Sequence, residues 1–169
     1  MPRLSLPYYK PTWGSHLPVL AKIFDMSSGP ILELGIGVFS TPFLHIMCEA
    51  KKRKLVSYED NPNFVNSHRA FVSDTHQLYM VEDWDDIAID GDFWDVVFID
   101  GPADRRLPEA KRVAQKANFV ILHDTEPNRR EEYVFSEIHK MFKYSFDYTD
   151  LQPNTSVFSN FVDITNLKI

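Results

Sequence analysis

Five times along this chain an apolar run closes on an acid. Ile31-Leu32-Glu33-Leu34 leads into Gly35 and Gly37, and Leu55–Tyr58 ends on Glu59-Asp60. A third run ends on Glu82-Asp83-Trp84, a fourth on Asp100-Gly101-Pro102, and a fifth on His123-Asp124-Thr125-Glu126. Turns favour acids in general, but an acid at every such end points to a site. Clustered carboxylates attract a cationic ligand, accept hydroxyl hydrogen bonds, take up a proton, or hold Mg²⁺ through oxygen. Asp100, His123 and Asp124 stand among these strand-end residues, and Glu59 suits a ribose diol. His123 reads equally as a hydrogen-bonded core residue. Arg105-Arg106 and Arg129-Arg130 follow the last two runs. Paired guanidiniums there either recognise a phosphate or carboxylate on a substrate or balance the local acids.

The elements that would position these residues are legible from the pattern. The stretch GPILELGIGVFSTPFLHIM predicts a short buried strand, a glycine turn and a helix from about Pro42 to Ala50 capped by Ser40 or Thr41. Such a turn gathers unpaired N–H groups and the positive end of a helix at one point. Ser15 is placed to cap a short helix, HLPVLAKIF, ahead of it. Beyond it LVSYED, HQLYMVED, FWDVVFIDGP and NFVILHDTEP read as strands separated by helices, the last helix being NRREEYVFSEIHKMF. YSFDYTDL and TSVFSNFVDI follow as a hairpin turning at Gln152-Pro153-Asn154. Strands alternating with helices predict an α/β fold: a Rossmann-like, mainly parallel seven-stranded sheet with helices on both faces and a C-terminal antiparallel hairpin. Ligands in such a sheet bind beyond the strands' C-terminal ends, where the acids stand. With no repeat or linker, residues 1–169 read as a single domain. Residues 1–16 form an N-terminal arm whose Tyr8, Tyr9 and Trp13 either cover the site or strap the domain.

A nicotinamide dehydrogenase would carry G-x-G-x-x-G, and Ser40 stands where its third glycine belongs. Glu33 would repel a pyrophosphate and attract a cation. LELGIG resembles the first motif of class I S-adenosylmethionine-dependent methyltransferases, a hydrophobic strand ending E-x-G-x-G. STPFLH, FIDGPADRR, HDTE and SNFVD together resemble a group of small methyltransferase-like proteins found in phages, large viruses and bacteria. The resemblance spans about residues 17–165. It implies S-adenosylmethionine as cofactor, with Gly35 and Gly37 bordering its methionine part, Glu33 near its ammonium and Glu59 on its ribose. It also places Asp83 toward the adenine amine and Trp84 against the ring, with Asp100 beside the reactive methyl. In catechol-type O-methyltransferases acids at Asp100 and Asp124 hold a divalent metal with an asparagine, here Thr125, and a lysine base, here Ala103. Mg²⁺ on Asp100 and Asp124, helped by Thr125 or Glu126, is the metal expectation; otherwise Asp100 or His123 serves as base.

The resulting expectation is O-methylation of a small or sugar-like, anionic acceptor bound by Arg105, Arg106 and Arg129. The alternatives are a catalytically degenerate cofactor-binding domain and, against the missing glycine, an oxidoreductase. DGPA is not the N-P-P-Y-like motif of amine methylation on nucleic acid, and a net charge of −6 disfavours a nucleic-acid partner. His16, His45, His68, His76 and His139 read as structural or exposed. At 44% hydrophobic over 169 residues the chain can bury a sizeable core. One cysteine, Cys48, fits a reducing compartment. No apolar run reaches bilayer length, so the location expected is cytoplasmic, a host's cytoplasm for a viral protein, with no membrane partner.

Overall fold

The structure is a computed structural model and describes residues 10–169. Its elements run α1 (Leu17–Asp25), β1 (Ile31–Leu34), α2 (Ser40–Lys51), β2 (Leu55–Glu59), α3 (Pro62–His68) and β3 (His76–Met80). They continue through β4 (Trp94–Ile99), α4 (Arg106–Val113), β5 (Ala117–His123), α5 (Phe135–Lys140), β6 (Tyr144–Tyr148) and β7 (Thr155–Ser159). The seven strands form one sheet in the order β3-β2-β1-β4-β5-β7-β6, the first five parallel and β7 antiparallel to both its neighbours. The expected mixed sheet and terminal hairpin are therefore present. The hairpin's second strand, not its first, sits against β5. β7 is buried along its whole length, whereas half-buried β6 takes the edge with Asp147 exposed.

Because side chains alternate along a strand, the sheet divides the core in two. Leu32, Leu34, Val97, Ile99, Val120 and Leu122 pack with α4 and α5. Ile31, Val96, Phe98, Phe119 and Ile121 pack with α1 and α2. Near-continuous apolar strands such as β4 and β5 are what a sheet covered on both faces requires.

Three local expectations change. Helix α2 begins at Ser40, with Phe39 at its N-cap and no side-chain cap, because Thr41 is drawn into a buried network. Ser15 does not cap α1, as its hydroxyl bonds across to the β6–β7 turn. The last predicted helix keeps only Phe135–Lys140. Buried Tyr133 and Phe135 are each covered by an arginine, and Val134 between them takes a left-handed φ of 49°. That conformation costs a β-branched residue about 1–2 kcal/mol and breaks the helix.

Candidate active site

The site begins where β1 and β4 end side by side. Gly35 has φ 97°, and a Cβ there would lie 2.5 Å from the Gly101 nitrogen and 2.6 Å from the Asp100 carbonyl. Only glycine allows the two strand ends to approach this closely. Gly35 thus packs backbone on backbone, while Gly37 lines the cleft beyond.

Glu33 is wholly buried beneath this turn and not in the cleft. Its Oε1 accepts from Thr41 Oγ1 at 2.9 Å and its Oε2 from Ser57 Oγ at 2.6 Å. Thr41 Oγ1 accepts in turn from the Gly37 N–H at 3.0 Å. The acid therefore holds the turn in shape from below. Burial, opposed by its hydrogen bonds to Ser57 and Thr41, pushes its pKa up to about 7.

Glu59 stands at the end of β2 and lines a cavity of about 250 Å³ with Ile36, Asp60, Phe64, Asp100 and Pro102. Its Oε2 accepts from the Ile36 N–H and its Oε1 from the Asn61 N–H, both at 2.8 Å. Each oxygen keeps a lone pair for a ligand hydroxyl. Burial, reinforced by neighbouring Asp60, raises its pKa against those two amides. Asp83 and Trp84 lie outside this cavity's lining. Exposed Asp83 caps the short turn after it through the Asp85 N–H, 2.9 Å away. Trp84 is buried, donates its indole N–H to Asp60 Oδ2 at 3.0 Å and lies behind Gly101, so it backs two lining residues of the cavity.

A second cavity of about 370 Å³ adjoins the first, sharing Ile36, Phe64 and Asp100 with it. Trp13, Phe39, His16, His123, Asp124 and Arg129 supply its other walls. Tyr8 and Tyr9 lie outside the described residues. At its base Asp100 Oδ2 is 3.1 Å from His123 Nδ1, and His123 Nε2 is 3.0 Å from Ser15 Oγ. Ser15 has one proton and donates it to the Pro153 carbonyl at 2.7 Å, so it accepts from Nε2–H. Nδ1 then donates to the Asp100 carboxylate. Burial disfavours a charge on His123, but the Asp100 hydrogen bond and the charges of Asp100 and Asp124 outweigh it and raise its pKa. Burial likewise opposes the Asp100 charge, and the same pairing holds its carboxyl below the ordinary range.

Arg106 is buried and faces inward. Its guanidinium donates to Asp100 Oδ1 at 3.0 Å and to the His123 carbonyl at 2.6 Å, and lies 3.6 Å from Asp124 Oδ2 over the Tyr133 ring. It cannot meet a substrate at the rim. It also supplies the two acids with a cation between them, at the place where Mg²⁺ was expected. Thr125 is buried and pairs with Ser156 Oγ at 2.8 Å, so it does not complete an oxygen cage. Arg105 is tied to Asp85 at 2.6 Å and Glu109 at 2.8 Å, and Arg130 to Asp147 at 2.8 Å. Of the four arginines only half-exposed Arg129 lines the cleft.

Asp124 is the least committed acid here. Its φ of 59° is left-handed, and among the described residues its carboxylate accepts no hydrogen bond. His123 and Arg106 are each 3.6 Å away. Strained backbone of this kind collects at functional sites.

Residues that pattern reading missed complete the cleft: Ser15, His16, Phe39, Phe64 and the Pro153 carbonyl. His16 is 2% exposed, packs at a tilt against Phe98, and has no partner for either ring nitrogen among the described residues. Burial, with the nearby His123 charge, lowers its pKa to about 3 and keeps it neutral. No local signal marks these residues, since each is joined to the site only by chain folding.

Solved structures share this architecture. The cofactor-bound protein Rv0187 from MTB aligns over 96% of this chain and 84% of its own, at TM-score 0.63 and 18% identity. A methyltransferase from Pyrococcus furiosus aligns over 92% and 88%, at 0.63 and 16%. The chain has the Rossmann-like methyltransferase fold. Spermidine synthase from Thermotoga Maritima also aligns, over 92% of this chain and 61% of its own, at 0.67 and 11%. At these identities the likeness is one of fold. No family model and no curated protein matches the sequence. Among the described residues no helix is long and apolar enough to cross a membrane.

Proposed function

We propose that this protein transfers a methyl group from S-adenosylmethionine to an oxygen of a small acceptor. The observation that carries the reading is the pair of adjoining cavities at the strand ends, one bordered by Glu59 and the other by His123 and Asp124. The cleft's donor set fits the cofactor. Glu59 keeps lone pairs for ribose hydroxyls, Gly37 lines the cleft without a side chain, and Asp60, which no cation pairs among the described residues, disfavours a pyrophosphate. When bound, the cofactor supplies an electrophilic methyl on a positively charged sulfur. The methyltransferases among the solved structures of the same fold support this choice. Kinship with the small phage, viral and bacterial group rests on the motifs STPFLH, FIDGPADRR, HDTE and SNFVD.

The chain's own task is to orient the acceptor and take its proton. Asp124 is the base, because of the two acids in the second cavity its carboxylate is the one that accepts no hydrogen bond among the described residues. Arg106 and the Asp100–His123 pair fix Asp124's surroundings and are positioning residues. Trp13, Phe39 and Phe64 offer flat apolar walls, and Arg129 at the rim suits an anionic substituent on a sugar-like acceptor.

Calorimetric titration with S-adenosylhomocysteine tests the cofactor. We expect saturable binding by the wild type. Glu59→Gln, which loses the charge but keeps an acceptor, should bind about tenfold or more weakly, as expected for hydrogen bonds to a charged group. No binding by the wild type would overturn the methyltransferase reading. Binding without transfer of labelled methyl to any hydroxyl-bearing compound in a broad panel would favour a cofactor-binding domain without catalysis.

A further inference from the structure

The second cavity contains one feature that methyl transfer does not use, the ring of His16, whose nitrogens have no partner among the described residues. A buried imidazole with both nitrogens unbonded costs about 1–3 kcal/mol per unsatisfied group, so its presence calls for a partner. It sits against two other donors: one ligand atom from each of His16, Asp100 and His123 can be chosen so that all three lie within 4.8 Å of one another. The His16 and His123 rings meet edge to face at 4.6 Å. The geometry points to a divalent transition-metal site formed by His16, Asp100 and His123.

Three further observations favour this reading. Metal bonds near 2.1 Å place neighbouring ligand atoms about 3–4 Å apart, and Asp100 Oδ2 and His123 Nδ1 stand at 3.1 Å. A ligating histidine usually donates its other ring N–H to a fixed acceptor, which sets the tautomer. Ser15 is that acceptor, its own proton being spent on the Pro153 carbonyl, so Nδ1 is the nitrogen left to the metal. The carboxylates, finally, divide their oxygens. Arg106 takes Asp100 Oδ1 and stands by Asp124 Oδ2, leaving Asp100 Oδ2 and Asp124 Oδ1 on the side of His123. In the metal-free protein the Nδ1 proton occupies the place of the cation, and metal replaces it.

Two imidazoles and one carboxylate suit zinc, iron or cobalt, whereas Mg²⁺ prefers an all-oxygen shell. The site is therefore distinct in ligands and ion from an oxygen-only Mg²⁺ site on Asp100 and Asp124. It does not depend on the methyl-transfer reading.

The test is titration of the full chain with Co²⁺ in the absence of any S-adenosyl compound, read by visible absorption, with Zn²⁺ and Mg²⁺ as competitors. We expect one equivalent of Co²⁺ to give the bands of a four- or five-coordinate ion, abolished by Zn²⁺ and untouched by Mg²⁺. His16→Phe keeps a ring packed against Phe98 and should bind at least about 100-fold more weakly. Ser15→Ala should lose about 10–100-fold, the usual cost of removing such an orienting partner. Should His16→Phe misfold, imidazole ¹⁵N spectra of the wild type decide instead. Zn²⁺ must then shift His16 and His123 and leave His45, His68, His76 and His139 in place. No absorption from Co²⁺, undiminished binding by folded His16→Phe, or displacement of Co²⁺ by Mg²⁺ would overturn the site. Because the cofactor is absent throughout, failure here leaves the S-adenosylhomocysteine result standing, and the reverse holds too.

Discussion

Asp124 and Asp100 are chemically the same side chain at the ends of neighbouring strands, yet their surroundings assign them different work. Asp100 is saturated by Arg106 and His123, and the pairing holds it ionised as a fixed part of the wall. Asp124 meets the same two cations only at 3.6 Å and keeps its lone pairs. Asp124→Asn preserves shape and removes the proton acceptor. We expect kcat for methyl transfer to fall by about 10²–10⁴-fold, while affinity for S-adenosylhomocysteine stays within about twofold. Steady-state kinetics beside calorimetry checks this. An unchanged kcat would remove Asp124 as base.

At the scale of elements, the glycine turn joins β1 to α2 and is set by contacts on both sides. From above, the Asp100–Gly101 backbone leaves no space for a side chain at Gly35. From below, Glu33 reaches the Gly37 N–H through Thr41. Gly35→Ala must therefore part β1 from β4 as well as adopt a disfavoured φ. The φ alone costs about 1–2 kcal/mol, and a clash with backbone adds overpacking of about 1–3 kcal/mol. Urea unfolding should show a loss of about 3 kcal/mol or more, or no folded protein at all. A loss below about 1 kcal/mol would mean that the strand ends separate freely. The E-x-G-x-G pattern was legible in the sequence, and so was its place at a strand end. The direction Glu33 faces was not. It follows from the alternation of side chains along β1, which turns Glu33 toward α2 and Ser57, away from the cleft.

For the whole molecule, the main consequence is a pH dependence of stability. Glu33 titrates near 7 in the folded chain and at its ordinary value of 4.5 when unfolded. Between these values the native state holds a proton that the unfolded chain has released, so the contribution of Glu33 to stability falls as pH rises through the window, against the opposite contribution of His16 and His76, which burial keeps neutral. The full cost, about 3 kcal/mol, is reached above pH 7. Glu33→Gln cannot ionise, so its urea midpoint should rise relative to that of the wild type as pH goes from 4.5 to 7.5, because the wild type alone loses this contribution. Parallel curves would mean that Glu33 is not protonated in the folded protein.

The order of strands and helices, the acids at each strand end, the glycine pair and the terminal hairpin follow from local pattern, because hydrophobic period and turn chemistry act over a few residues. So does the location of a ligand cleft, once a parallel sheet is inferred. Which acid stays free, which arginine turns inward, and that Ser15 and His16 join His123 across more than a hundred positions are matters of tertiary structure alone. Each depends on burial and on partners brought together from distant segments. Arg105 and Arg106 show the difference most directly: adjacent and alike in sequence, one is held away from the cleft by Asp85 and Glu109, and the other is buried between the two acids at the site. Only the path of the chain through space separates them.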